Sequence, residues 1–148
     1  MKIGIDMSPM EGKGSLYHRV RGTGSYLRNL KESLLRYDKL NMYIFFTRGE
    51  KLPKNVDLVH YPYFEPFFLT LPLFNKTPLV VTVHDLTPLV FPKYFPTGLR
   101  GNLKWKIQRE SLKKAKKIIT DSRSSRNDII KYTGIFEDKI EVVYLAAG

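Results

Sequence analysis

A histidine and an aspartate, His84 and Asp85, stand where an apolar segment of the sequence ends. The preceding run 79–83 is unbroken and rich in β-branched residues, which is typical of a strand buried on both faces of a parallel sheet. Open α/β sheets place their ligands at the carboxyl ends of such strands. The pattern therefore predicts a catalytic or binding site at this pair. The alternative is structural, in which His84 ties down a loop and Asp85 caps the following turn.

Two glycines near the amino terminus suggest a second half of the same site. The segment 8–24 has no periodicity and ends at Gly22 and Gly24, after which leucines recur at helical spacing. A strand, a glycine-containing loop and a helix in this order point free backbone N–H groups and the helix dipole at an anion. We therefore predict a diphosphate-facing loop that leaves the sheet on the same edge as His84. The alternative is a flexible turn at a helix start.

Strand-like and helical segments alternate along the chain and position these residues. Strands are predicted at 2–6, 42–48, 57–63, 79–83, 117–122 and 139–148, and helices after Gly24, over 102–117 and after Ser124 or Ser125, which would cap the last helix up to Gly134. This order predicts a Rossmann-like α/β domain with a doubly wound, mostly parallel sheet and helices on both faces.

The predicted crevice collects residues from several strand ends. Tyr61 follows the third strand, and the fifth strand again ends in an acid and a hydroxyl, Asp121 and Ser122. We expect the crevice to gather Gly24, Tyr61, His84, Asp85 and Ser122. The segment 62–74 contains three prolines, which exclude a long regular helix, and its aromatic side chains either pack on the sheet or form an apolar lip.

Composition and charge limit the possible classes of protein. The 148 residues suffice for one globular domain over 1–148, and the absence of cysteine excludes disulfides and thiolate metal sites. We expect no signal peptide and no membrane-spanning segment, because the apolar runs are too short. The net charge of +11 indicates an anionic partner, which could be nucleic acid, an acidic membrane surface or a phosphorylated ligand.

The helix predicted over 102–117 carries much of the positive charge. Its apolar stripe is predicted to contain Leu103, Ile107, Ser111 and Ala115, with Leu112 beside it. The basic residues are Lys104, Lys106, Arg109, Lys113, Lys114, Lys116 and Lys117. Most charged helix faces are simply solvated. A basic helix with Trp105 at an interface would also suit anionic lipid headgroups.

Several segments together resemble a known enzyme family. They follow each other in order over nearly the whole chain, and the combination of VHD-L with DS-xxS-xxDI is fairly specific. The segments are GTGSYLRNL at 22–30, DLVHYP at 57–62, VVTVHDLTPL at 80–89, KKIITDSRSSRNDI at 116–129 and KIEVVYLAAG at 139–148. The set resembles the amino-terminal half of a group 1 glycosyltransferase, that is, of the retaining family 4 with the two-domain GT-B fold.

The resemblance implies roles for individual residues. Gly22 and Gly24 would let backbone N–H groups approach the diphosphate of a nucleotide-sugar donor, and His84 would reach the transferred sugar, with Asp85 as its neighbour in the motif. A backbone N–H can offset the growing charge of the leaving diphosphate, and a neutral imidazole can bind a sugar hydroxyl. The resemblance also implies a crevice or acceptor role for Tyr61, Ser122 and Arg123, and chemistry without a metal or other cofactor.

The resemblance also implies partners. The amino-terminal domain of such enzymes receives the acceptor, a glycan or a lipid-linked sugar, and a carboxy-terminal domain, which we expect to be absent from these 148 residues, holds the nucleotide sugar. We therefore expect a cytoplasmic transferase of a hexosyl group such as mannose or glucose, inactive without its second domain and peripheral at the membrane through Lys104, Lys106, Arg109, Lys113, Lys114 and Lys117. A non-catalytic nucleotide or sugar-phosphate binder is one alternative. A nucleic-acid-binding protein is another, although no stacking aromatics interleave the basic residues.

Overall fold

The structure, a computed structural model, describes residues 1–11, 21–50 and 55–146. Within them, six strands form one sheet in the order β2-β1-β3-β4-β5-β6, and every neighbouring pair is parallel. The strands are β1 (Lys2–Asp6), β2 (Met42–Phe46), β3 (Leu58–Tyr61), β4 (Leu79–Thr82), β5 (Lys117–Thr120) and β6 (Ile140–Val142). The predicted Rossmann-like, parallel α/β fold is confirmed.

The helices are α1 (Arg21–Tyr37), α2 (Thr87–Val90), α3 (Gly98–Lys113) and α4 (Arg123–Thr133), with 3₁₀ turns at Ser8–Glu11 and Glu137–Lys139. Helix α2 was not predicted from the sequence. Residues 12–20 of the loop predicted over 8–24 lie outside the described part of the chain, and the last residues of that segment belong to α1. The predicted last strand, 139–148, is shorter than expected, because only Ile140–Val142 pairs with β5.

Two apolar clusters lie on opposite faces of the sheet. Leu27 of α1 packs against Ile5 and its partly buried neighbour Phe45, which sit side by side in the parallel register. The alternate strand positions, such as Val81, belong to a larger cluster that includes Leu112 of α3. Because successive side chains of a strand point to opposite faces, α1 and α3 cover different sides of the sheet. The doubly wound arrangement follows from this alternation.

Helix α3 differs from its prediction in its start and in part of its buried face: Ser111, Leu112 and Ala115 are buried as predicted, but Leu103 is not. It begins at Gly98 and not at residue 102. Gly101 therefore lies inside the helix, although a glycine often marks a helix boundary. Leu103 is 61% exposed, whereas Gln108 is fully buried. The Gln108 Oε1 accepts from the backbone N–H groups of Thr70 and Leu71, at 2.8 and 2.7 Å. The buried face of the helix therefore includes a polar residue that satisfies buried backbone groups, whereas Leu103 of the predicted stripe lies outside it.

Glycine and serine define the ends of the last helix. The predicted cap at Ser124 or Ser125 was wrong, because the side chain of Ser122 accepts from the backbone N–H of Ser125 at 3.0 Å. β5 ends at Thr120, which leaves Ser122 as the last extended residue before α4. The predicted stop at Gly134 is confirmed by its left-handed backbone, with φ 73°.

Candidate functional site

His84 lies at the carboxyl edge of the sheet and is paired with Asp121. The His84 Nδ1 is 2.6 Å from the Asp121 Oδ2, and the two side chains are 23% and 19% exposed. The backbone N–H of Val83 donates to the carbonyl of Ile119 at 2.8 Å, so the hydrogen-bonded ladder of β4 and β5 continues up to this pair. Parallel pairing of neighbouring strands thus brings an imidazole and a carboxylate together across 37 residues of sequence.

Side chains on the α1 side of the sheet support the imidazole. The ring of Tyr26 lies edge-on to that of His84, with centroids 4.7 Å apart and an interplanar angle of 86°. The Tyr26 hydroxyl is hydrogen-bonded to the Thr82 side chain, and burial raises the pKa of this tyrosine. The Thr82 Oγ1 also lies 2.9 Å from Nε2 of His60. Tyr26, His60 and Thr82 therefore form a polar layer beneath His84.

His60 is held neutral by its surroundings. It is only 8% exposed. Burial, and secondarily the nearby His84, lower the pKa of His60 to about 4. Removing water from an imidazolium is costly, and a second positive charge close by adds to that cost. The layer beneath His84 therefore carries no charge from His60 near neutral pH.

A groove of about 730 Å³ leads to His84 and Asp85. One wall comes from the proline-rich segment after β3, and the other comes from the segment before α3 together with its first turns. Two basic side chains of α3, Arg100 and Lys104, also line the groove, as does Glu65. The aromatic residues of the groove are Tyr63, Phe64, Phe67, Phe68, Tyr94 and Phe95. The aromatic segment thus contributes both to the core and to an open lip.

Asp85 and the two glycines occupy different parts of this edge. The Asp85 Oδ1 accepts from the backbone N–H of Thr87 at 2.8 Å, so this residue does cap the turn while its exposed carboxylate lines the groove. Gly22 and Gly24 lie inside the first turn of α1 and not in a preceding loop, which corrects the prediction. A Cβ at either glycine would have no neighbour within 4 Å. Packing among the described residues therefore does not require glycine at these positions.

Three other predicted crevice residues do not line the His84 groove. Tyr61 lies on the opposite face of the sheet, packs edge-on to Phe46 and borders a separate pocket. The Ser122 hydroxyl is engaged as the cap of α4. Arg123 is exposed and faces a pocket beside β6. The expected gathering of Tyr61 with His84 does not occur because adjacent residues of β3 alternate between faces, and His60 is the one that points toward Thr82.

The predicted basic residues of α3 and β5 do not all face solvent as free charges. Glu110 lies 3.4 Å from Arg109 and 3.0 Å from Lys113, and Lys117 donates to the carbonyl of Asp138 at 2.8 Å. Lys114 lies over the ring of Phe74, and Lys104 over that of Phe68. Lys106 is exposed on the same stretch of α3. The helix is therefore less uniformly basic toward solvent than its sequence suggests.

Sequence reasoning did not identify Tyr26 or His60 as site residues and did not pair Asp121 with His84. The positions of Asp121 and His84 at successive strand ends were a signal for the pair, because such ends meet at one edge of the sheet. Tyr26 follows Gly24 by two residues, but no spacing rule links it to β4. Among the described residues, no three His, Asp or Glu side chains cluster as metal ligands would.

Comparison with known families now decides the class. A family model described as Glycosyltransferase Family 4 matches residues 10–146. The chain belongs to glycosyltransferase family 4. A search of curated proteins gives no match. The glycosyltransferase domain thus carries the parallel sheet of a GT-B half, with His84 at the carboxyl edge of β4. Within the described residues, none of its helices combines the length and apolar character needed to cross a bilayer.

Proposed function

We propose that this domain is the acceptor-side half of a retaining glycosyltransferase that uses a nucleotide sugar. It would transfer a hexosyl group, such as mannose or glucose, to a glycan or a lipid-linked acceptor. The observation that carries the proposal is the groove that ends at His84, whose imidazole is held by Asp121. Family membership supports the reaction class, and the groove supports the place of the acceptor.

The aromatic groove suits a sugar or an isoprenoid chain. Aromatic faces bury the apolar C–H surface of either ligand. Arg100 and Lys104 lie four residues apart in α3 and project from one side of the helix into the groove. Their N–H groups can donate to hydroxyls or to a phosphate oxygen of the acceptor. We place the acceptor between these basic residues and the aromatic wall, with its attacking hydroxyl near His84.

The donor diphosphate would lie at the start of α1. Backbone N–H groups of the first turn have no intrahelical partner, and the helix dipole favours an anion there. Within the described part of the chain, no atom would lie within 4 Å of a Cβ at Gly22 or Gly24, so the diphosphate could approach the backbone closely there. These N–H groups would offset the charge that develops as the diphosphate leaves. The proposed chemistry calls for no metal or other cofactor, because amide and basic side-chain donors supply the stabilisation that a cation gives elsewhere.

A second domain would complete the enzyme. We propose that it holds most of the nucleotide sugar and that this chain alone does not catalyse transfer. The test is an assay of hexosyl transfer from labelled nucleotide sugars to glycan and lipid-linked acceptors, with and without a family 4 nucleotide-sugar domain. Turnover only in the presence of both domains supports the proposal. Donor binding without turnover under any combination would instead indicate a non-catalytic binding module.

Among the described residues, the start of α3 offers a surface that suits an anionic membrane. Leu99 and Leu103 are 90% and 61% exposed. Lys106 follows Leu103 by three residues, so all three share one face of the helix. Tyr94, which lines the groove, is 80% exposed. Apolar side chains beside a lysine match the boundary between headgroups and acyl chains, and we propose that the cytoplasmic membrane face presents a lipid-linked acceptor here.

Vesicle binding tests this membrane surface. We expect binding to phosphatidylglycerol vesicles that weakens with salt, and little binding to phosphatidylcholine or to oligonucleotides. Lys106→Glu should weaken binding roughly tenfold or more, because each basic residue near an anionic surface contributes about 1 kcal/mol. Lys131→Glu, an equal charge change on α4, is the matched control. Equal loss in both variants, or preferred binding to oligonucleotides, would contradict the proposed surface.

A further inference from the structure

The His84 side chain is held from two sides that belong to different elements. Asp121, which follows β5, lies at hydrogen-bond distance from Nδ1, and the ring of Tyr26 in α1 packs edge-on against the imidazole. Tyr26 is itself fixed through the Thr82 side chain. A side chain that is oriented in this way loses little rotational freedom when a ligand binds, which is the requirement for a preorganised site.

The other ring nitrogen has no such contact. The His84 Nε2 is buried and has no hydrogen-bond partner among the described residues. A buried polar atom without a partner costs about 1 to 3 kcal/mol, so native proteins keep few of them outside functional sites. The position of this atom beside the groove therefore points to a ligand group as its partner.

We propose that Asp121 is a positioning residue that sets the tautomer of His84. The Asp121 carboxylate accepts the hydrogen of Nδ1–H, because an ionised carboxylate can only accept. Neutral imidazole carries one N–H, so Nε2 is left with its lone pair. Nε2 then accepts a hydrogen bond from a hydroxyl of the transferred sugar. This inference rests on the proposed function for the identity of the ligand, but the tautomer itself does not depend on it.

The tautomer can be measured on the 148-residue chain without any substrate. Long-range ¹H–¹⁵N spectra at a pH of about 8, above the ordinary pKa of histidine, distinguish a protonated ring nitrogen from a bare one. Signals of His84 are assigned by their loss in His84→Gln, which separates them from those of His18 and His60. In the wild type we expect the Nδ1 of His84 to carry the hydrogen and its Nε2 to be unprotonated.

Matched variants show whether Asp121 is responsible. In Asp121→Asn the amide can present either a donor or an acceptor to Nδ1, so the population with Nε2–H should rise. Asp138→Asn removes the same charge from an exposed position on the 3₁₀ turn before β6 and should leave the wild-type pattern. Unchanged backbone spectra away from the site establish that each variant folds. An Nε2–H tautomer or an imidazolium in the wild type, or no change in Asp121→Asn, would overturn the proposal.

Activity of the two-domain enzyme gives an independent readout. Hydrogen-bond partners of metal-bound histidines are typically worth about 10- to 100-fold in activity, and we expect a loss of kcat of about this size for Asp121→Asn, with KM for the donor nearly unchanged. Wild-type kcat in this variant would remove the positioning role and leave the glycosyltransferase assignment intact. Absence of turnover with any nucleotide sugar in the wild type would remove the proposed function and leave the tautomer result standing.

Discussion

Acidification should destabilise the domain through His60. In the unfolded chain this imidazole has an ordinary pKa near 6.5, whereas burial lowers the pKa in the folded domain to about 4. The unfolded state therefore binds a proton at a higher pH than the native state does. The contribution of neutral His60 to the free energy of unfolding is fully present above the unfolded pKa. It is lost progressively as the pH falls from about 6.5 to about 4.

The size of this effect follows from the two pKa values. Linkage between protonation and folding gives a loss of about 2 kcal/mol at pH 5 and on the order of 3 kcal/mol at pH 4. Such a loss is a substantial fraction of the 5 to 15 kcal/mol that is usual for the free energy of unfolding. The domain should therefore be markedly less resistant to denaturant at pH 5 than at pH 7.

Urea unfolding of the wild type and of His60→Gln at both pH values measures the effect. Glutamine does not titrate, and its amide can still reach the Thr82 hydroxyl. Other titrating groups contribute equally to both proteins, so they cancel in the difference between the two pH dependences. We expect His60→Gln to lose about 2 kcal/mol less than the wild type between pH 7 and pH 5. Equal losses in the two proteins would refute a neutral, buried His60.

Further substitutions test the packing around the site. Gly24→Ala should change the free energy of unfolding by less than about 1 kcal/mol, since no atom of residues 1–11, 21–50 and 55–146 lies within 4 Å of the new Cβ, yet it should lower sugar transfer in the two-domain enzyme. Gly101→Ala should destabilise the domain by about 1 to 3 kcal/mol, because the new Cβ would lie 2.7 Å from the Cβ of Thr97. Comparable thermal stability of Gly24→Ala and Gly101→Ala would contradict the expected difference between them. Gln108→Leu should cost about 2 to 4 kcal/mol in urea unfolding, because two buried N–H groups lose their acceptor, whereas exposed Leu103→Ala should cost less than about 0.5 kcal/mol. The reverse order would support the buried position that the sequence predicted for Leu103.

Local patterns in the sequence predict the strands and the place of His84. The run 79–83 is apolar and β-branched, and the change to His84 at its end is visible without any structure. The contact with Asp121 is different, because it depends on how β4 and β5 are aligned, and that register is set by packing across the whole sheet. The same reason explains why Tyr61 was placed with His84. One residue along a strand decides between the two faces.

Helix α3 shows where hydrophobic periodicity fails. The periodicity correctly predicts that Ser111, Leu112 and Ala115 are buried, but it also places Leu103 on this stripe. The domain exposes Leu103 and buries Gly101 and Gln108 instead. Gly101 permits close contact with Thr97, and Gln108 satisfies the backbone at Thr70 and Leu71. The contact with Thr97 is local to the start of the helix, but the contacts of Gln108 lie 37 and 38 residues away in sequence, so no window around α3 contains them. The exposed leucines then become available for the proposed membrane contact.

The rate of hexosyl transfer by the His84→Ala variant tests most directly whether this groove is the site of sugar transfer. The measurement is the initial rate of hexosyl transfer from a nucleotide sugar by the two-domain enzyme, with the fold of the variant checked by circular dichroism and urea unfolding. Removing a single preorganised group at the reacting centre typically lowers turnover about 100-fold or more, and we predict a loss of this size in a folded protein. Turnover within about twofold of the wild type would contradict a role for His84 and for the groove that ends at it.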